Sequence, residues 1–103
     1  MPVLTKVASV NDLKPGEKMV VDVEGSPIAL YNVEGKYYAT DDECTHDGGP
    51  LAHGTLAGYE IICPRHGARF DVRTGKALCM PAFTPVHTYP VKIQGNDIFI
   101  EFE

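Results

Sequence analysis

Two short pairs, each of one cysteine and one histidine, constrain this chain more than anything else in it. Cys44-Thr45-His46 and Cys63-Pro64-Arg65-His66 are separated by sixteen residues, from Asp47 to Ile62. A gap of one or two residues lets both side chains of a pair turn toward a common point from one tight loop. Two such loops facing each other present two thiolates and two imidazoles to a shared centre, which is the donor set of a metal site. The candidate ligands are Cys44, His46, Cys63 and His66. Zinc accepts two of each in tetrahedral geometry, but finger-type sites usually keep their cysteines together and their histidines together. Here each pair mixes the two. A structural zinc module that only mediates protein contacts stands as one alternative.

Two loops held opposite each other need a stiff frame, and the rest of the chain supplies short β segments. Val3–Val7 reads as a first strand, followed by a single turn over Val10–Leu13 before Pro15-Gly16 breaks the chain. Lys18–Val23 and Ile28–Val33 are further strands, with Glu34-Gly35 as a turn and Lys36–Thr40 returning as its hairpin partner. Residues 41 to 80 are punctuated by Gly48, Gly49, Pro50, Gly54, Gly58, Pro64, Gly67 and Gly75, so backbone shape matters more there than periodicity. Within that unit Glu60–Ile62 and Ala68–Asp71 flank the second pair as short strands. The frame resumes over Val86–Gln94, turns at Gly95-Asn96, and finishes with Asp97–Phe102, where Ile98, Ile100 and Phe102 share one face. The expectation is an all-β chain with helix nearly absent. It would be a small antiparallel sandwich or barrel forming one domain over 1–103, with the ligand-bearing unit at about 41–80 inserted in the scaffold.

At 103 residues the chain is long enough to bury a core without disulfides. A net charge of −5 argues against a nucleic-acid binder, whose footprint would be basic, and suits a mobile carrier steered toward a positive surface. No run approaches the roughly 18 apolar residues of a membrane span, and Met1–Lys6 lacks a signal-peptide layout. Three cysteines leave Cys79 over once the two pairs are assigned, and an odd, sparse count suits a reducing compartment. A cytoplasmic monomer with no membrane or nucleic-acid partner is expected.

The pattern C-x-H…C-x-x-H resembles the Rieske family, in which two cysteines hold one iron of a [2Fe–2S] cluster and two histidines hold the other. Cys44-Thr45-His46, Cys63-Pro64-x-His66-Gly67, Phe70-Asp71-x-x-Thr74-Gly75 and the segment around Pro81 are all similar to soluble Rieske ferredoxins, so the resemblance covers most of the chain. It implies a Rieske-like fold and one [2Fe–2S] cluster per chain. Cys44 and Cys63 would bind a buried iron, and His46 and His66 an outer iron facing solvent. It further implies a carrier that performs no substrate chemistry, taking electrons from a flavin-containing, NAD(P)H-dependent reductase and passing them singly to a terminal oxygenase. A complete oxygenase would need a further domain with a mononuclear iron site, for which 103 residues leave no room. The small Rieske subunit of an assimilatory nitrite reductase is the nearer alternative.

The same resemblance places the chain on a potential scale. Two thiolates leave an oxidised cluster near neutral, where four would leave it near −2, so Rieske centres are easier to reduce than plant-type ferredoxins. The outward imidazole nitrogens imply a potential that depends on pH at the alkaline end. High-potential members carry a disulfide between the loops, and a serine and a tyrosine that donate to sulfur. The matching residues here are Gly49 and Arg65, then Ala68 and Phe70. Fewer donors leave charge on sulfur uncompensated, which predicts a midpoint near the bottom of the range of about −150 to +300 mV.

The remaining residues have plainer expectations. His53 and His87 read as surface or hydrogen-bonded structural histidines, Cys79 as a packed cysteine near the cluster cover, and Pro81 as part of a shielding loop. Gly48, Gly49 and Gly67 are expected to admit positive φ or close amide approach. Arg65, Arg69, Arg73 and Lys76 lie on or after the second loop, while Asp41, Asp42, Glu43 and Asp47 flank the first. These charges are expected to pair with one another across the two loops, or to form a docking surface of mixed sign around the exposed histidines, with Arg65 contacting the acceptor.

Overall fold

The computed structural model of the chain describes residues 3–43, 49–64, 67–79 and 84–102. Its elements in chain order are β1 (Val3–Ser9), a 3₁₀ turn (Val10–Asp12), β2 (Lys18–Val23), β3 (Ser26–Val33) and β4 (Lys36–Asp41). A second 3₁₀ turn (Leu51–His53) then precedes β5 (Thr55–Ala57), β6 (Glu60–Ile62), β7 (Arg69–Asp71), β8 (Ala77–Cys79), β9 (Thr88–Tyr89), β10 (Val91–Gln94) and β11 (Asp97–Phe102). Among the described residues there is no α-helix, and no helix is long and apolar enough to cross a membrane.

Every pairing is antiparallel, and the strands fall into three sheets ordered β1-β11-β10, β2-β3-β4-β9 and β5-β6-β7-β8. None closes on itself, so the barrel half of the expectation gives way to packed open sheets. The third sheet uses only residues 55–79, which lie in the chain between two paired strands of the second, β4 and β9.

Strand β3 explains how the layers stack. Ile28 and Leu30 pack with Val21, Val23, Ala39, Ile98 and Ile100, facing the first sheet. Ala29, Tyr31 and Val33 pack with Leu51, Ile61, Phe70 and Val72, facing the third. The β2–β3–β4 sheet is therefore a middle layer with apolar side chains on both faces. A strand buried on both faces reads as an unbroken apolar run, and Ile28-Ala29-Leu30-Tyr31 is that run. Asn32 is buried in it and satisfied: its amide nitrogen donates to the Leu13 carbonyl (2.8 Å), and its oxygen accepts from Gly35 N–H (2.8 Å).

The hairpin turns are set by chirality. Glu24-Gly25 and Glu34-Gly35 both sit at positive φ (52° and 85°, 53° and 88°), the two-residue turn whose twist matches its strands. Two strands were not legible in the sequence, β5 and β8, each of only three residues. The predicted strand Val86–Gln94 divides at Pro90, which has no N–H for the ladder.

Candidate metal centre

Of the four predicted ligands, Cys63 alone lies within the described residues; Cys44, His46 and His66 lie outside them, as do Arg65, Asp47, Gly48 and Pro81. Cys63 follows β6 directly and is 2 % exposed, with its thiol free. Its placement comes from the backbone of the second loop. Cys63 N–H donates to the Ala68 carbonyl (2.7 Å), and Gly67 N–H donates back to the Cys63 carbonyl (3.2 Å). Gly67 stands at φ +74°, as expected for a residue that must turn the chain sharply there. Around Cys63 the packing is apolar: Ala68, Phe70, Leu51, Ile61 and Tyr31 share its core cluster.

A buried, unpaired thiol on a hydrogen-bonded loop fits a thiolate ligand of an iron–sulfur group. Together with one more cysteine and two histidines in the sequence, the donor set matches two irons of unlike ligation. The apolar surroundings also fit. Ala68 and Phe70 are fully buried beside Cys63 and bring no hydroxyl, in line with the low potential expected.

The root of the first loop is tied down by Asp41 and Asp42. Asp41 N–H donates to the His87 carbonyl (2.9 Å), and Asp42 N–H donates to the Pro27 carbonyl (3.1 Å). The Asp41 carboxylate accepts from the Tyr89 hydroxyl. The Asp42 carboxylate accepts from Ala52 N–H (2.8 Å), ten residues on. Beneath them Thr40 donates its hydroxyl to the Asp41 carbonyl (2.9 Å), so Tyr31 must be the donor in the 3.0 Å bond between Tyr31 and Thr40. Burial pushes the Tyr31 phenol well above its ordinary value. Tyr89 is raised as well, by burial first and then by the Asp41 carboxylate it bonds. Sequence reasoning missed this anchoring, because aspartates in a run of acids look like solvated charge.

Several plainer expectations are revised. Cys79 is exposed rather than packed, although its thiol donates to the Gly67 carbonyl of the second loop at 3.5 Å. An edge strand, β8, leaves it on the rim. Arg65 and Asp47 of the expected cross-loop pairs lie outside the described residues, and the described arginines bond within their own sheet or turn. Arg69 bonds Glu60 (3.3 Å) on the neighbouring strand, and Arg73 makes two side-chain bonds to Asp71 (3.1 and 2.9 Å) while lying 4.0 Å above the Tyr59 ring. These bonds hold the Asp71 carboxyl below the usual carboxylate range. Strand β7 runs away from the second loop toward Asp71, so Arg73 follows the end of β7 that lies away from Cys63. His53 and His87 are both exposed, as expected, and His87 packs edge-on against Tyr89.

Comparison with known proteins carries the same pattern. Residues 3–90 match the Rieske [2Fe–2S] domain. The ferredoxin component of naphthalene 1,2-dioxygenase/salicylate 5-hydroxylase systems from Ralstonia sp is 48% identical over 96 residues, covering 93% of this chain and 92% of that protein. Among solved structures, Sphingomonas yanoikuyae B1 ferredoxin superposes with a TM-score of 0.92 at 36% identity, covering 98% of this chain and 100% of the other. A chain from the complex of reduced oxygenase and oxidised ferredoxin in carbazole 1,9a-dioxygenase superposes with a TM-score of 0.92 at 35% identity, covering 96% and 93%.

Proposed function

The chain belongs to the Rieske [2Fe–2S] domain family, and on that premise we propose that it is the single-electron carrier of a multicomponent ring-hydroxylating dioxygenase system. The observation that carries this reading is the two-way coverage. The chain spans over nine-tenths of a dioxygenase ferredoxin component and is itself spanned over nine-tenths, so it corresponds to the carrier and not to the oxygenase that does the chemistry. The chain is not itself the enzyme.

Cys44, His46, Cys63 and His66 would hold the [2Fe–2S] group, within a cluster-binding unit of about 41–80 inside one Rieske domain. When bound, the group supplies a site that gains and loses one electron at a time. The chain's own residues do the rest. The Ala68 and Gly67 backbone bonds set where Cys63 projects. Tyr31, Leu51, Ile61 and Phe70 keep water from its inner side. Around the second loop Pro64, Gly67, Arg69, Leu78 and Cys79 are exposed, an edge of apolar and charged groups on which a partner could close.

The partners proposed are a terminal oxygenase as acceptor and a flavin-containing, NAD(P)H-dependent reductase as donor. A terminal oxygenase is supported by the complex of reduced oxygenase and oxidised ferredoxin in carbazole 1,9a-dioxygenase, one chain of which is 35% identical to this one. A cytoplasmic place is supported by the exposed free thiol of Cys79, which a reducing compartment keeps as a thiol. The test is reconstitution: holoprotein added to a flavoprotein reductase, NADH and a naphthalene-type oxygenase should make product formation depend on its concentration. Unchanged turnover with and without the chain, for several such oxygenases, would contradict the reading.

A further inference from the structure

The Asp42 carboxylate makes a bond that spans the first loop, accepting from Ala52 N–H. The 3₁₀ turn Leu51–His53 begins after Pro50, whose side chain offers no acceptor, and the turn has no side-chain cap of its own. The first-turn N–H of Ala52 would then be a donor in a buried segment with nothing to meet, since Leu51 and Ala52 are both in the core. Asp42 supplies the missing acceptor at 2.8 Å from ten residues upstream. Its own N–H is committed to Pro27 at the start of β3, so the carboxylate is aimed from a backbone that is itself held.

In the sequence Cys44 and His46 lie between the two ends of this bond. We propose that Asp42 is a positioning residue for the first ligand pair, acting through its carboxylate oxygen on Ala52 N–H to set the separation of the two ends of that loop. The inference rests on the reading that Cys44 and His46 are ligands. Fixing the distance between two ends of a segment removes conformations that would otherwise be open to the chain between them. Groups that orient metal ligands typically change metal retention by about 10–100-fold when removed.

The experiment separates acceptor from charge. Asp42→Asn removes the charge and keeps an oxygen for Ala52 N–H, while Asp42→Ala removes both. Holoproteins are compared by the electron paramagnetic resonance spectrum after dithionite, and by the rate at which visible colour is lost to an iron chelator. Asp71→Ala serves as a control that removes a well-bonded carboxylate at the far end of the β5–β8 sheet. The expected result is a parent-like spectrum and lifetime for Asp42→Asn and Asp71→Ala, with a shifted or broadened spectrum and loss of colour about tenfold faster for Asp42→Ala. Parent-like behaviour of Asp42→Ala would overturn the proposal, and so would equal changes in Asp42→Ala and Asp42→Asn, which would assign the effect to charge. Should Asp42→Ala fail to accumulate, Asp42→Asn still decides: a parent-like spectrum supports the proposal and an altered one overturns it. Cys44→Ser is run alongside. A parent-like cluster in that variant would sink the ligand reading itself, a result distinct from failure of the Asp42 role.

Discussion

At the scale of single residues, the buried tyrosine behind the site makes a prediction about alkaline stability. Tyr31 is fully buried, its hydroxyl donates to Thr40, and burial holds its phenol far above an ordinary tyrosine. In the unfolded chain the same group ionises near pH 10. Below about pH 10 both states keep the proton and the contribution to stability is whole. Above it the unfolded state sheds a proton that the folded state retains, so stability falls as pH rises toward the folded value. Each such group has a limiting slope of about 1.4 kcal/mol per pH unit. Tyr89, raised in the same direction, adds to the slope. Denaturant unfolding between pH 8 and 11 should show this decline, and Tyr31→Phe should flatten it while costing about 1 kcal/mol at neutral pH. An unchanged alkaline slope in that variant would show that the hydroxyl is not protected as described. None of this was legible in the sequence, where Tyr31 is one more aromatic in an apolar run.

At the scale of elements, the long strands were legible, and of the short ones only some were. Lys18–Val23, Glu60–Ile62 and Asp97–Phe102 stand where alternation and turn residues placed them. Of the three-residue strands, β6 and β7 were legible because they flank the second ligand pair, whereas β5 and β8 have no such marker, and a register shift between Arg69 and Phe70 breaks the pairing of β8. The joint between the second 3₁₀ turn and β6 is where an element depends on one residue. A Cβ at Gly54 would fall well inside contact distance of the Ile62 carbonyl oxygen, one residue before Cys63. Gly58 stands in open space and is constrained only by its φ of +61°. Gly54→Ala should therefore cost about 3 kcal/mol by overpacking, and Gly58→Ala only about 1 kcal/mol by backbone strain. Equal costs measured by denaturant unfolding would remove the argument that the turn is pressed against β6.

At the scale of the whole molecule, the sequence conveyed the class of fold but not the stacking of its layers. Alternation tells which side of a strand is apolar, and a strand apolar on both sides is silent about what covers each. Only the contacts of Ile28 and Leu30 on one face, and of Ala29 and Tyr31 on the other, make the β2–β3–β4 sheet a middle layer. The site divides in the same way. The proposed ligands stand out in the sequence because cysteine and histidine at C-x-H and C-x-x-H spacing have few other uses; of them the structure describes Cys63, which is buried on a bonded loop. The anchoring by Asp41 and Asp42 was hidden because its partners, Tyr89, Pro27 and Ala52, are distant in the chain.

The account stands most directly on whether one electron can be placed on a mixed sulfur–nitrogen centre in this chain. The measurement is a potentiometric titration of the purified holoprotein followed by electron paramagnetic resonance. The account predicts a signal that appears on reduction as a single one-electron wave, about 59 mV per decade, with a midpoint in the lower part of the range of about −150 to +300 mV and below about +100 mV. A colourless protein with no paramagnetic signal after dithionite would contradict the carrier itself. A midpoint above about +100 mV would contradict the argument that Ala68 and Phe70, lacking hydroxyls, keep the potential low.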